Sequence, residues 1–421
     1  MDHWTESEAA QCVANYERLR AAQKKSLLDV LNDRFPPAVY REHLARQRAA
    51  LRNAETGKKI LDGARQSFPP LIAQRDVCKT AADLAGCAVV LTAGGDGERL
   101  RASLAAAGAG EEELKHFTKA TCHVPGFPGN RGTLHAACAM IADLCRKSGL
   151  NVPVVVTTGP RSSATARIIP ETLEKAGFFG LKNVRILAQD ERLHLTLEGT
   201  MAALCDGDAA RPAANPDETG GPFVKLLKRG EGGEQSVAEW LVSLGCSRIL
   251  ALQATGVYDP SVVLSMAAAG KGRDFLGVGV LRTEFGTADP FGSFVLVERA
   301  GKKSLAIVEQ GVRNDATRAL TDPSGQHFLP YNTGLYVFDI GLLSSARLPD
   351  YATPPKEILP ELPRSPKIGY AITDIVSFAK NPAVLAIDAG AYANLKSMDD
   401  FSRLLDVAKR CGILELRWER A

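Results

Sequence analysis

Apolar and polar positions change rhythm along the chain. Up to about residue 85 the apolar residues recur at helical spacing, with Leu27, Leu28, Val30 and Leu31 in one stripe. Thr5 or Ser7 can cap a first helix, and Pro36-Pro37 breaks a second. From Arg41 to Arg52 charge alternates with alanine and leucine, the pattern of a solvated amphipathic helix. A helical N-terminal region with a packing role is predicted over residues 1–85.

At Cys87 the pattern turns to short, unbroken apolar runs. Cys87–Thr92 and Val152–Thr158 read as strands buried on both faces. Helices over 134–147 and 162–176 and a strand over 184–188 follow, then a helix over 234–244 and a strand over 247–252. This alternation implies a parallel sheet wound with helices. Strands near 275–282, 293–297 and 304–309 read as antiparallel, with Gly301-Lys302-Lys303 as a hairpin turn. A further strand is predicted over 332–339, a proline-rich loop over 343–366, and helices over 371–380 and 399–410. The expected division is 1–85 helical, 86–395 an α/β catalytic domain, and 396–421 a short helical tail.

The 421 residues include 51 basic and 48 acidic side chains, a net charge of +3 that offers no support for a nucleic-acid partner. Nine cysteines form no CxxC pair, so neither a disulfide framework nor a zinc cluster is expected. Thiols in apolar runs such as Gly86-Cys87-Ala88 suit a reducing compartment. The N-terminus has no basic and apolar leader, and no uncharged apolar run reaches membrane-spanning length. A cytoplasmic protein without a membrane partner is expected; its oligomeric state is left open.

The sharpest chemical signal is Leu91-Thr92-Ala93-Gly94-Gly95-Asp96-Gly97-Glu98-Arg99-Leu100. A strand runs into a glycine turn whose backbone N–H groups can approach phosphate oxygens, and Arg99 adds a charged donor fork. Leu100 stands where a dinucleotide fingerprint needs a third glycine, and no Gly-Lys-Ser/Thr follows. A dinucleotide-dependent oxidoreductase and a Walker A loop are thereby disfavoured. Lys119, in Phe117-Thr118-Lys119, could return beside the turn and neutralise transferred phosphate charge.

The turn from Gly94 to Leu100, with Lys119 downstream, resembles the signature of sugar nucleotidyltransferases. Glu98, Arg101 and Thr118 replace that signature's usual threonine, glycine and proline. Within the superfamily, residues from about 87 to 400 are most similar to the UDP-sugar pyrophosphorylases of the UDP-N-acetylhexosamine and UTP–glucose-1-phosphate types. The resemblance implies an α/β, Rossmann-like, GT-A-like mixed sheet flanked by helices. It also implies uridylyl transfer from UTP to a sugar 1-phosphate.

Residue by residue, the resemblance gives Ala93, Gly94, Gly95 and Gly97 to nucleotide binding, with Arg99 and Lys119 at the phosphates. Asn215-Pro216-Asp217-Glu218-Thr219-Gly220-Gly221 resembles the turn that lies against uracil, so Gly220 and Gly221 join this set. Gln189 ends a strand near the base, and its amide offers the paired donor and acceptor an imide edge needs. Ala288-Asp289-Pro290-Phe291-Gly292 with Glu309, and Asn332 in Tyr331-Asn332-Thr333-Gly334, resemble sugar-framing segments. Lys367, seven residues before Asp374, matches a lysine that holds the sugar phosphate.

The resemblance also implies Mg²⁺ near a strand-end aspartate, where this chain has Leu252 and Gln253. Gln253 is assigned to the nucleotide and no metal ligand is identified. A shifted register, Mg²⁺ held by the nucleotide's phosphates and water, or a catalytically impaired nucleotide-sugar binder all fit. The chain leaves no room after residue 421 for the C-terminal β-solenoid of many glucose-type relatives. This tilts the expectation slightly toward a hexosamine or broad-specificity type, or a divergent bacterial-like branch.

Overall fold

The computed structural model describes residues 3–57, 61, 63–95, 97–115, 117–281, 292–325 and 329–418. The chain divides into two compact units, each assembled from three stretches: 1–60, 190–221 and 347–372 form one, and 61–189, 222–346 and 373–421 the other.

The larger unit is built on a mixed sheet. Its main path runs through Leu71–Ala73, Pro382–Ile387, Phe275–Leu281, Pro330–Asp339, Arg248–Gln253, Cys87–Thr92, Val154–Thr158 and Val184–Ala188. Only Pro330–Asp339 runs against its neighbours in that path. The unbroken Val/Leu/Ala runs follow from burial on both faces: every residue of Val154–Thr158 is buried, as are all but the last of Cys87–Thr92. One core joins these strands to the helix Thr133–Ser148 and the C-terminal helix Asp400–Arg410, through side chains such as Val89, Leu134, Met140, Leu250 and Leu404.

The predicted hairpin forms between Ser293–Arg299 and Lys302–Val308, with Ala300 and Gly301 both at positive φ. The strand predicted beside it, observed as Phe275–Leu281, pairs antiparallel with Pro330–Asp339 and parallel with Pro382–Ile387. The helix expected over 371–380 is a 3-10 stretch, Ile372–Phe378. The proline-rich 343–366 contains the end of the helix Ile340–Ser345 and a short strand, Asp350–Ala352.

The smaller unit holds the N-terminal helices Glu6–Cys12, Ala21–Arg34 and Pro37–Gly57. Thr5 caps the first through a capping box with Glu8. Leu27 and Leu31 pack with Leu193, Leu195 and Met201 of the second stretch. In the third stretch, Asp350–Ala352 pairs with Ile368–Tyr370. Among the described residues no helix is long and apolar enough to cross a membrane.

Candidate functional site

In the larger unit, parallel strands end side by side at Thr92, Thr158, Ala188 and Gln253, the edge at which ligands bind in open α/β sheets. Ala93 continues the pairing, its N–H donating to the Thr157 carbonyl at 2.8 Å. At Gly94 a Cβ would collide with the Gln189 side-chain amide and stand 2.8 Å from the Gly159 nitrogen. The turn therefore passes flush against the neighbouring strand ends, a path that only glycine allows. Gly95 is exposed, with open space where a side chain would be.

Gly97, at φ 66°, precedes the helix Glu98–Ala106. A Cβ there would lie 2.9 Å from Phe117 Cε1 and 3.1 Å from Lys119 Cβ, so the lysine stem roots against the turn. Burial pushes the Lys119 ammonium down to about 8, with Arg99 adding to the fall and Asp400 opposing it. Of the three cations expected at the phosphates, Lys119 packs against the glycine turn and Arg99, on the helix that follows it, lies near enough to lower the lysine's pKa. Exposed Glu98 occupies the first turn of the helix, where a carboxylate complements the dipole.

Gln189 is 8% exposed. Its backbone N–H donates to the Thr158 carbonyl at 3.2 Å. Its Oε1 is buried with no hydrogen-bond partner among the described residues. Leaving such an acceptor unsatisfied costs about 1–3 kcal/mol, a cost that a ligand donor would remove.

A cavity of about 340 Å³ in the same unit is lined by Arg99, Asn332, Asn394, Lys396, Asp400 and Arg403 among others. Asn332 Nδ2 donates to the Tyr336 hydroxyl at 2.8 Å and its Oδ1 accepts from the Gly334 N–H at 3.0 Å, which fixes the amide plane. Lys396, Asp400 and Arg403 are not among the residues that the sequence singles out. Asp400 accepts the N–H groups of Lys396 and Ser397 at 2.7 and 2.8 Å, and so shapes the turn that presents the lysine. A basic residue between a strand end and an acidic helix start was the available signal.

Glu309, whose side chain still reaches solvent, is pushed above the usual carboxylate range mainly by the protein around it; Arg313 and Lys396 pull the other way. Burial, and then Glu309, push Asp374 up to about 6. The other half of the predicted sugar-framing segment, 288–291, lies outside the described residues, as does Asp96.

Gln253 is engaged by protein. Its Oε1 accepts from Asn394 Nδ2 at 2.7 Å, and its Nε2 fills the space beside Gly334. Leu252 is buried and apolar. Among the described residues no group of three His, Cys, Asp or Glu side chains could hold a metal. The donors at this strand end do not fit a protein-held Mg²⁺, which prefers free, hard oxygen ligands.

The remaining predicted residues lie in the smaller unit. The Gly220 N–H donates to the Tyr370 carbonyl at 2.7 Å, and the Gly221 N–H to the Asp217 carbonyl at 3.1 Å. A Cβ on Gly220 would stand 2.7 Å from Tyr370 Cβ. Lys367 is 9% exposed. Its backbone exchanges hydrogen bonds with Thr353, at 3.0 Å to Oγ1 and 3.0 Å from the Thr353 N–H.

No protein-family model matches the chain, and no curated protein matches it. Solved structures do. The UDP-N-acetylglucosamine pyrophosphorylase of Trypanosoma brucei, in complex with an inhibitor, superposes over 95% of this chain and 82% of its own at a TM-score of 0.67 and 15% identity. A point mutant of the UDP-glucose pyrophosphorylase from Leishmania major covers 91% and 78% at 0.61 and 14%. The fold is that of the UDP-sugar pyrophosphorylases. Another mutant of the Leishmania major enzyme, in complex with UDP-glucose, gives 0.59 over the same shares at 15% identity. At this identity the shared feature is the backbone path, the mixed sheet flanked by helices that the residue-level resemblance implied.

Proposed function

We propose that the chain transfers a uridylyl group from UTP to a sugar 1-phosphate and releases pyrophosphate. The observation that supports this is the packing of the Lys119 stem against the Gly94–Gly97 turn, with Arg99 on the helix that follows, at the strand edge where the buried Gln189 Oε1 has no partner among the described residues. An oxygen of the sugar 1-phosphate attacks the α-phosphorus, and the bond from that phosphorus to the pyrophosphate oxygen breaks. No protein nucleophile is required, so catalysis is positioning and charge neutralisation.

The turn backbone at Ala93, Gly94, Gly95 and Gly97 would take phosphate oxygens, with Arg99 and Lys119 countering the charge that builds on pyrophosphate. Gln189 offers a donor and an acceptor to the uracil edge. Asn332 and Glu309 would receive sugar hydroxyls, and Lys396 and Arg403 add positive charge to the cavity wall. Gly220, Gly221 and Lys367 keep the base and sugar-phosphate roles that the resemblance implies. Gln253 would act on the nucleotide only through Asn394. Mg²⁺ would enter on the nucleotide's own phosphates, and no step is assigned to it.

The test is pyrophosphate release across the four nucleoside triphosphates, each with glucose 1-phosphate and N-acetylglucosamine 1-phosphate. Release that favours UTP supports the transferase; no release in any combination refutes it. The engaged Gln253 favours a second reading, a nucleotide-sugar binder with impaired catalysis. Tight UDP-sugar binding without pyrophosphate release would select that reading.

A further inference from the structure

Arg192 was not singled out from the sequence, and it is 3% exposed in the smaller unit. A buried guanidinium persists only where its donors are matched by acceptors. Its Nε is paired with Asp217 Oδ1, its Nη2 reaches Asp217 Oδ2 at 3.3 Å, and its Nη1 reaches Asp350 Oδ1 at 3.2 Å. The plane lies over the Tyr370 ring, 4.5 Å from its centre. One side chain thus grips the turn before Gly220, the strand Asp350–Ala352 and the strand Ile368–Tyr370.

The two gripped segments are also joined backbone to backbone. The Tyr370 N–H donates to the Asp217 carbonyl at 3.1 Å, the Gly220 N–H to Tyr370, and the Ile372 N–H to Thr219 Oγ1 at 3.2 Å. At Gly369 a Cβ would stand 2.7 Å from the Asp217 carbonyl carbon, so the turn lies directly on the strand. Lys367 begins that strand segment, one residue before Ile368. Turn and lysine strand are therefore joined both through the backbone and through the Arg192 pairs.

We infer that Arg192 is a positioning residue that holds the Gly220 turn and the Lys367 strand in one register, so that base recognition and sugar-phosphate recognition depend on the same clamp. The inference rests on the proposed roles of Gly220 and Lys367. Loosening the clamp misplaces both segments and weakens both substrates together, whereas Arg99 and Lys119 keep their own supports.

The experiment compares the wild-type chain with R192K, D217N and the double variant R192M/D217N, each checked for native circular dichroism. UTP binding is measured by calorimetry, and KM and kcat by pyrophosphate release with glucose 1-phosphate and N-acetylglucosamine 1-phosphate. Lysine cannot reproduce the planar fork. The double variant removes both charges of the fully buried pair and leaves unpaired only the Asp350 carboxylate, which is part-exposed and can be solvated, so it is expected to fold where a single variant strands a buried charge. Expected is a joint rise of about tenfold or more in the KM for UTP and for the sugar 1-phosphate, with kcat within about threefold. A folded double variant in which either KM stays at the wild-type value overturns the clamp. A wild-type chain that binds no UTP overturns the proposed function, and the inference with it.

Discussion

Lys119 and Gly97 are packed stem against backbone: a methyl group on the glycine would stand 3.1 Å from the lysine Cβ and 2.9 Å from Phe117. The glycine also sits at φ 66°, in the left-handed region. Gly97→Ala is therefore expected to destabilise the chain by about 1–2 kcal/mol from backbone conformation alone, with the clash adding to it. Because the same clash displaces Lys119, turnover should fall further than stability does. Urea denaturation and pyrophosphate release on one preparation check the two effects.

The ammonium of Lys119 titrates near 8 rather than at the usual 10.5, chiefly because it is buried and secondarily because Arg99 is near. It is charged below that value and neutral above it, so kcat/KM should decline as pH rises through about 8. Lys119→Arg keeps its charge at higher pH and should remove that descending limb, while Lys119→Ala should cut turnover at every pH. The stability effect has the opposite sign. The unfolded lysine binds its proton more tightly, so stability rises with pH between about 8 and 10.5. The difference between wild-type and Lys119→Ala thermal melts across that window should carry this slope, since the other titrating groups are common to both.

Replacing Gln189 by leucine deletes an acceptor that is buried without a partner among the described residues. Folding stability should be unchanged or higher, because nothing is left unsatisfied on the oxygen side. Affinity for UTP should drop by about tenfold or more, one lost buried hydrogen bond's worth, and preference over other nucleotides should shrink. Calorimetry with UTP and CTP measures both quantities.

Asp374 is protonated more readily in the fold than in the unfolded chain, because burial and then Glu309 push it up to about 6. A carboxyl shifted in this direction contributes stability that is full below its unfolded value of 3.8 and is lost as pH rises through about 6. Asp374→Asn should therefore melt higher than wild type at pH 7.5, with the gap closing near pH 4. An equal gap at both ends of the range would show that the carboxyl is not responsible.

Much of the sheet was legible because Cys87–Thr92, Val154–Thr158 and Arg248–Gln253 are buried on both faces, and the apolar run states that in the sequence. Thr5 was legible as a cap for a local reason, the Glu8 partner three residues on. Lys119 could be guessed as a partner of the glycine turn because both lie in one stretch of the larger unit. The run Pro382–Ile387 carries an equally apolar pattern but follows a segment read as helix. The 3-10 turn Ile372–Phe378 shares helical spacing while obeying a different hydrogen-bond rule. Arg192 and Asp217 are paired across an intervening loop that includes a separate hairpin, Ala203–Asp206 with Ala209–Pro212, and no local period announces such a pair. Gln253 looked free to serve the nucleotide because Asn394, which occupies it, is far along the chain.

Pro382–Ile387 sits between Leu71–Ala73 and Phe275–Leu281 and joins them in the sheet path. A ribosome must therefore deliver the chain through Ile387 before the earliest of these strands can enter the sheet. Until then Phe275–Leu281 presents an open hydrogen-bonding edge of the kind that recruits foreign strands. Nascent chains stalled short of Ile387 are the species in which chaperone engagement should be strongest.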